Sequence, residues 1–171
     1  LIKSYLALGD DPNAETAVEK LLADFSGNPF KSRAIHDTAY EYRKLEKYDR
    51  ADQLDQFVID NWPRDEQAMW AKMDMAKSDI VLGNEAAAEA AINILIADFN
   101  DHPSLPEAVL QVGHGYYTKA RLKEKDGLGE KAKEYYRKAI TVWERIITDL
   151  PPSTITPETY YVSAVCYSQE L

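Results

Sequence analysis

Histidine and cysteine, the side chains most often used for catalysis and metal binding, are few in this sequence and widely spaced. The histidines are His36, His102 and His114, and none of their spacings matches the short pairs typical of a metal site. The single cysteine, Cys166, has no partner for an internal disulfide, and we expect it to pack as a small hydrophobic residue. These residues predict neither a metal centre nor a nucleophile.

Three short motifs suggest chemistry, and each has a simpler structural explanation. Gly-His-Gly at 113–115 fits a helix with a packing glycine, and Gly-Leu-Gly at 127–129 lacks the strand that precedes a nucleotide-binding loop. The Asp-Asp pair at 10–11 fits a helix start, where carboxylates cap amide groups and interact favourably with the helix dipole. We therefore expect a protein that is not an enzyme and that binds no cofactor or metal.

Charge and composition narrow the class of protein further. The 171 residues include 20 basic and 29 acidic side chains, a net charge of −9 that disfavours binding to nucleic-acid phosphates. Apolar residues make up 45%, as in a folded domain, and no apolar run reaches the roughly 20 residues that a membrane span needs. Both ends of the sequence resemble helix interiors, so we expect a fragment of a longer protein, whose localisation stays open.

Similar residues return every 37 positions, which indicates a repeat protein. Matching sets are Leu8, Leu45 and Leu82; Ala14, Ala51 and Ala88; Leu21, Val58 and Leu95; and Ala39, Ala76 and Gly113. A fourth repeat rejoins the register after 14 extra residues, through Ala139 and Ile146. The repeat boundaries fall near 10–46, 47–83, 84–124 and 125–171, within one solenoid fragment that covers 1–171.

Each repeat contains two stretches with apolar residues three and four positions apart, the spacing of an amphipathic helix. Glycine and proline separate the stretches, and no segment alternates apolar and polar residues as a strand does. Small residues such as Ala76 and Gly113 are expected to let paired helices approach closely. The sequence predicts an all-α fold with helices near 1–8, 13–26, 30–46, 49–61, 65–82, 84–100, 104–124, 128–149 and 157–171.

The fourth repeat carries a family-like pattern: Val109-x-x-Val112-Gly113-x-x-Tyr116, followed by Ala139-x-x-x-Trp143, Ile146 and Pro151. It resembles the tetratricopeptide repeat, in which a Trp-x-x-Leu-Gly-x-x-Tyr helix precedes an Ala-x-x-x-Phe helix and a proline. Asp55 and Asp79 depart from that pattern, since they replace a large apolar and an aromatic residue. The resemblance implies a right-handed α-α superhelix of about four helical hairpins, one elongated, that binds a protein or peptide partner on its concave face.

A second resemblance concerns Ile-Ala-Asp-Phe at 96–99 and His-Pro-Ser-Leu-Pro-Glu-Ala at 102–108. The phrase is similar to a junction in bacterial cell-envelope repeat proteins, such as the Tol–Pal coordinator and the outer-membrane assembly lipoproteins. This resemblance implies an envelope scaffold and favours the periplasm over the cytoplasm.

The tetratricopeptide resemblance implies that the first helix of each repeat supplies the partner-binding face. The side of these helices next to the apolar stripe is rich in aromatic and basic residues, as protein-binding surfaces are. The residues on it are Arg33, His36, Tyr40, Arg43, Trp70, Met73, Lys77, Leu110, His114, Tyr117, Tyr161 and Val165. Alternatively, Trp70, Met73 and Leu110 belong to the core, and Arg33 and Arg43 are solvated charges.

The 14 extra residues fall in a basic stretch, residues 119–138, which holds eight basic and four acidic side chains. The rest of the chain, with 12 basic and 25 acidic residues, therefore has a net charge of −13. Shared between two helices, the insertion lengthens each by about seven residues, or about 10 Å. We expect either a solvated helical hairpin or a docking arm for an acidic partner or an anionic surface, and the flanking acidic residues disfavour nucleic acid.

Three functional hypotheses remain open at this point. The favoured one is a non-catalytic scaffold that binds a segment of another protein along the concave helix face. The alternatives are a structural spacer in a cell-envelope assembly and a regulatory repeat segment of a larger multidomain enzyme. All three depend on analogy with a fold, and the site must decide between them.

Overall fold

The computed structural model describes residues 1–152 and 156–170, and that part of the chain is helical, with no strand. The prediction of an all-α fold is confirmed. The side chains of residues 163, 166, 167, 169 and 170 lie outside the description, and the predicted packing of Cys166 lies outside it with them. The helices are α1 (Ile2–Ala7), α2 (Asp11–Ala23), α3 (Lys31–Lys44), α4 (Tyr48–Asn61), α5 (Glu66–Leu82), α6 (Glu85–Asp98), α7 (Leu105–Lys125), α8 (Gly129–Asp149) and α9 (Pro157–Glu170).

Helix ends in the structure lie within about three residues of those predicted, and the largest difference is at the end of α2. The predicted helix 13–26 ends at Ala23, and Phe25, expected to continue its apolar stripe, is exposed with a φ of 61°. A buried lysine explains the earlier end, because Lys31 Nζ donates to the carbonyl oxygens of Leu22 and Asp24, each at 2.7 Å. These bonds satisfy carbonyls that the terminated helix leaves without amide partners.

Glycine ends α5 as the sequence indicates. Gly83 has a φ of 86°, a left-handed conformation that is strained for residues with a Cβ. The amide groups of Gly83 and Asn84 both donate to the carbonyl oxygen of Asp79, each at 2.9 Å. This arrangement closes the last turn of α5 and releases the chain toward α6.

The chain divides into two compact units, Leu1–Lys72 and Met73–Leu171. In the first unit α3 packs against α4, and α1 and α2 contact each other and α3. Its core contains the fully buried side chains of Val18, Ile35, Ala39, Leu54 and Val58.

In the second unit α8 packs between α7 and α9, and α6 contacts α7. Its core contains the buried side chains of Leu95, Leu105, Val112, Trp143 and Ile146. Helices α7 and α8 are 21 residues long, seven more than the 14 residues of α3 and α4, and the added turns flank the loop at 126–128. No helix in the described part of the chain is both long and apolar enough to cross a membrane.

A glycine sets how closely α7 and α8 approach. A Cβ placed on Gly113 would lie 2.0 Å from Nε1 of Trp143 and 2.5 Å from its Cδ1, distances that no packed carbon atom tolerates. The indole Nε1 of Trp143 donates a 3.0 Å hydrogen bond to the carbonyl oxygen of Leu110, one turn before the glycine. The expected role of Gly113 in close helix packing is therefore confirmed.

Candidate functional site

A groove of about 400 Å³ lies between α7 and the last turns of α5, within the second unit. Helix α7 lines it with residues spaced three and four apart, a single helical face: Gln111, His114, Gly115, Thr118, Lys119, Leu122 and Lys123. Helix α5 contributes Lys77 and Val81. At 1.5 Å per residue, the face on α7 extends over about 18 Å. The groove is therefore elongated along α7.

The floor of the groove depends on Gly115. A Cβ at this position would lie 3.3 Å from Cδ1 of Ile80 and 3.4 Å from Cγ of Lys77. These distances are tight but not prohibitive, because both contacts are with flexible side-chain atoms. Gly115 thus lets the side chains of Lys77 and Ile80 on α5 approach the backbone of α7.

The rotation of α7 about its own axis decides which residues face the groove. Trp143 of α8 lies over Gly113, and its ring also packs against Tyr117, with centroids 6.3 Å apart. Leu110, Gly113 and Tyr117 are therefore turned toward α8. The residues that follow them, at 111, 114, 115 and 118, line the groove.

The groove is electropositive, although the chain as a whole is acidic. Three of its nine lining residues are lysines and none of the nine is acidic. Lys119 is held in place, since its Nζ donates to the carbonyl oxygen of Ile80 and lies 4.8 Å from the ring centroid of Tyr135. Burial, together with repulsion from Lys123, lowers the pKa of Lys119. An anionic group in the groove would relieve that repulsion.

His114 forms part of the groove wall. Its ring lies edge-on to Trp143, with centroids 5.4 Å apart, and burial lowers its pKa below the usual histidine value. Among the described residues, no group of three or more histidine, cysteine, aspartate or glutamate side chains is arranged to hold a metal ion. The groove offers amino groups and aliphatic carbon, which suit binding an anionic and apolar ligand.

Only some of the residues predicted to bind a partner in the second unit line the groove. Lys77 and His114 line the same groove. Met73 and Leu110 are only 7% and 4% exposed, so they are not on an open face and belong to the core, the alternative that the sequence left open. Leu110 is buried because it lies one turn from Gly113, on the side of α7 that packs against α8. On α9, Tyr161 is exposed and Val165 is half-buried.

In the first unit, two residues predicted to bind a partner instead form a charge cluster inside the unit. Asp55 is fully buried, and its two carboxylate oxygens accept from His36 Nδ1 and Arg43 Nη2, each at 2.8 Å. Arg43 also pairs with Asp52 at 2.8 Å. The placement of His36 and Arg43 on a partner-binding face is therefore corrected, because both side chains compensate the buried charge of Asp55.

The remaining predicted residues of the first unit are more accessible. Arg33 is exposed, 3.9 Å from Asp37, and Trp70 is half-buried with its Nε1 3.4 Å from Glu66. Tyr40 lines a cleft of about 570 Å³ between α1, α2 and α3. Across the wall of that cleft Lys3 and Glu41 pair at 2.9 Å.

The sequence projection missed most of the groove. It omitted Val81 and Thr118, and it treated Lys119, Leu122 and Lys123 as part of a charged extension rather than of a binding face. A signal was present, because residues 111, 115, 118 and 122 recur at helical spacing one position away from the chosen set. What the sequence did not show was the contact between Gly113 and Trp143 that selects between the two rotations.

No protein-family model, curated protein or solved structure was found to match the sequence. The groove itself is described by three amino groups and an aliphatic rim.

Proposed function

We propose that this chain is a non-catalytic protein-interaction scaffold of the tetratricopeptide type, and that it binds a segment of another protein in the α5–α7 groove. The observation that carries the proposal is the groove with its exposed aliphatic rim, in which Val81 is 56% and Leu122 55% exposed. Exposed aliphatic side chains that group together on a surface mark protein-interaction sites. The tetratricopeptide resemblance supports the choice, since α7 carries the residues that resemble the Trp-x-x-Leu-Gly-x-x-Tyr helix and α5 has the equivalent place 37 residues earlier.

The dimensions of the groove favour a peptide segment. The α7 face is about 18 Å long, the length of about 12 helical residues or of five to six extended ones. A volume of about 400 Å³ accommodates a few side chains rather than a whole domain. An amphipathic segment that inserts its anchors at intervals of three and four residues matches this shape.

Blocking the groove tests the proposal. Thr118 is exposed in the middle of the α7 face, so Thr118→Trp fills the groove without entering the core. Peptides are selected from a random phage-displayed library on the wild-type chain, and their affinities are measured by fluorescence anisotropy. We expect Thr118→Trp to weaken the selected peptides by a factor of ten or more, on the order of 1.4 kcal/mol.

Thr141→Trp is the matched control. Thr141 is exposed on α8 and lines a different groove, between α6 and α8. Peptides that bind Thr118→Trp as well as the wild type, or that respond only to Thr141→Trp, would show that the α5–α7 groove is not the binding site. Circular dichroism melting of both variants checks that the fold is kept.

A further inference from the structure

We infer that the segment bound by the α5–α7 groove is acidic and amphipathic, and that it continues from the groove onto the basic extension, defined as residues 119–138. This inference rests on the proposed function and adds the chemistry of the partner. It follows from the charge of the groove, from the charge of the extension and from the position of one leucine.

The lining of the groove is basic, although one of its lysines, Lys123, has the carboxylate of Asp126 beside it at 3.7 Å, outside the lining. Its lining includes Lys77, Lys119 and Lys123 and no carboxylate. Lys119 and Lys123 are one helical turn apart on α7, where like charges repel. Carboxylates from a partner would reduce this repulsion further than Asp126 alone does. Because the chain as a whole has a net charge of −9, an acidic segment would be attracted to this basic region and repelled by the rest.

The extension adds to the positive charge beside the groove, because its acidic residues are already paired with basic ones. Each of its four carboxylates has a basic neighbour within the extension: Glu124 with Arg121 at 3.6 Å, Asp126 with Lys123 at 3.7 Å, Glu130 with Lys133 at 3.9 Å and Glu134 with Lys138 at 3.1 Å. Eight basic residues therefore exceed four acidic ones. Lys138 also pairs with Glu85 of α6, whereas the side chains of Lys125 and Lys131 are exposed near the loop.

Groove and extension share one surface of α7. Lys119, Leu122 and Lys123 belong to both. The groove is lined by α5 as far as Val81, and α5 ends at Leu82, whereas α7 continues to Lys125. Leu122 lies between the two lysines and is 55% exposed. A partner that places an aliphatic side chain against Leu122 and Val81, with carboxylates three or four residues to either side, would satisfy all of these groups.

The same charges argue against longer polyanions. The residues outside the extension have a net charge of −13 and would repel a nucleic acid or an anionic membrane that reached past the α7 face. A short acidic segment contacts only the basic strip. We therefore commit to a protein segment as the occupant.

Two peptide probes of about 12 residues, the length of the α7 face, test the inference. One consists of Glu, Leu and Ala with Glu and Leu on the same helical face, and the other has Gln in place of every Glu. We expect the acidic probe to bind on the order of tenfold more tightly than the neutral probe at low salt, and to lose that advantage as salt is raised.

Charge reversal locates the contact. Lys123→Glu should weaken the acidic probe at least about fivefold and leave the neutral probe nearly unchanged. Lys20→Glu, an exposed position on α2, makes the same change in net charge in the first unit and should have little effect. Leu122→Ala should weaken both probes, since it removes the aliphatic contact.

The outcomes separate this inference from the proposed function. If the two probes bind equally, or if Lys123→Glu and Lys20→Glu act alike, the partner is not acidic, while groove-dependent binding of selected peptides would leave the scaffold in place. Failure of Thr118→Trp to affect any peptide overturns both. Tighter, Lys123-dependent binding of an oligouridylate or of phosphatidylserine vesicles than of the acidic probe would show that the occupant is not a protein segment.

Discussion

Replacing Gly113 with alanine should destabilise the second unit more than the same substitution at Gly115, the other glycine of α7. The new Cβ would lie 2.0 Å from Nε1 and 2.6 Å from Cε2 of Trp143, so the indole must move. Because the side chain of Trp143 is almost fully buried, no open space is available to receive it. Movement would also stretch the 3.0 Å bond from Nε1 to the Leu110 carbonyl.

The magnitude follows from three contributions. Overpacking against a rigid ring costs about 3 kcal/mol, the upper part of the usual range, and the lost hydrogen bond costs about 1 kcal/mol. Alanine is preferred over glycine within a helix by about 1 kcal/mol, which offsets part of the loss. The net expectation is a loss of about 3 kcal/mol, or a Tm lower by roughly 6–12 °C for a chain of this size.

Thermal and urea unfolding, followed by circular dichroism, measure the effect. Gly115→Ala is the matched control, since its Cβ would meet only flexible atoms at 3.3 and 3.4 Å, and we expect it to change stability by less than about 1 kcal/mol. In a Trp143→Leu background the added cost of Gly113→Ala should nearly vanish. A Gly113→Ala variant that melts with the wild type, or an equal cost in both backgrounds, would refute the packing argument.

Two further predictions concern buried charge. Asp55→Ala removes the carboxylate that His36 and Arg43 share, and it should cost about 3 kcal/mol in urea unfolding, well above the cost of Asp52→Ala at the rim; equal costs would contradict a buried cluster. Because burial lowers the pKa of His114, the unfolded chain binds a proton at a higher pH than the folded chain. Stability should therefore fall as the pH drops through about 6.5, less so in His114→Gln, and parallel pH profiles of the two proteins would contradict this.

The helices were predictable because their signals are local and repeated. Apolar residues three and four apart mark each helix, and glycine at 83 and 127 marks where two of them end. Because similar residues recur every 37 positions, each helix boundary could be compared with the equivalent position in the other segments. The end of α2 shows the limit of this approach, since the bonds from Lys31 to its last carbonyls are made by a residue that follows the helix.

The binding face was harder to predict because it depends on contacts between distant residues. Leu110 was placed on the open face, yet Trp143, 33 residues later, turns it toward α8. His36 and Arg43 resemble exposed polar residues on a helix, and only the burial of Asp55 shows that they are part of the interior of their unit. The sequence already showed a carboxylate, Asp55, among the apolar positions of its helix. A buried carboxylate needs a basic partner, and that requirement points to His36 and Arg43.

The anchoring of Lys119 has a consequence for affinity. A lysine side chain that is ordered only when a ligand arrives loses up to about 2 kcal/mol of rotamer entropy at that moment. Lys119 has already been fixed by the Ile80 carbonyl and the Tyr135 ring, so this loss is incurred when the protein folds. Its ammonium group keeps further N–H donors for an incoming carboxylate, which meets a preorganised cation rather than a flexible one.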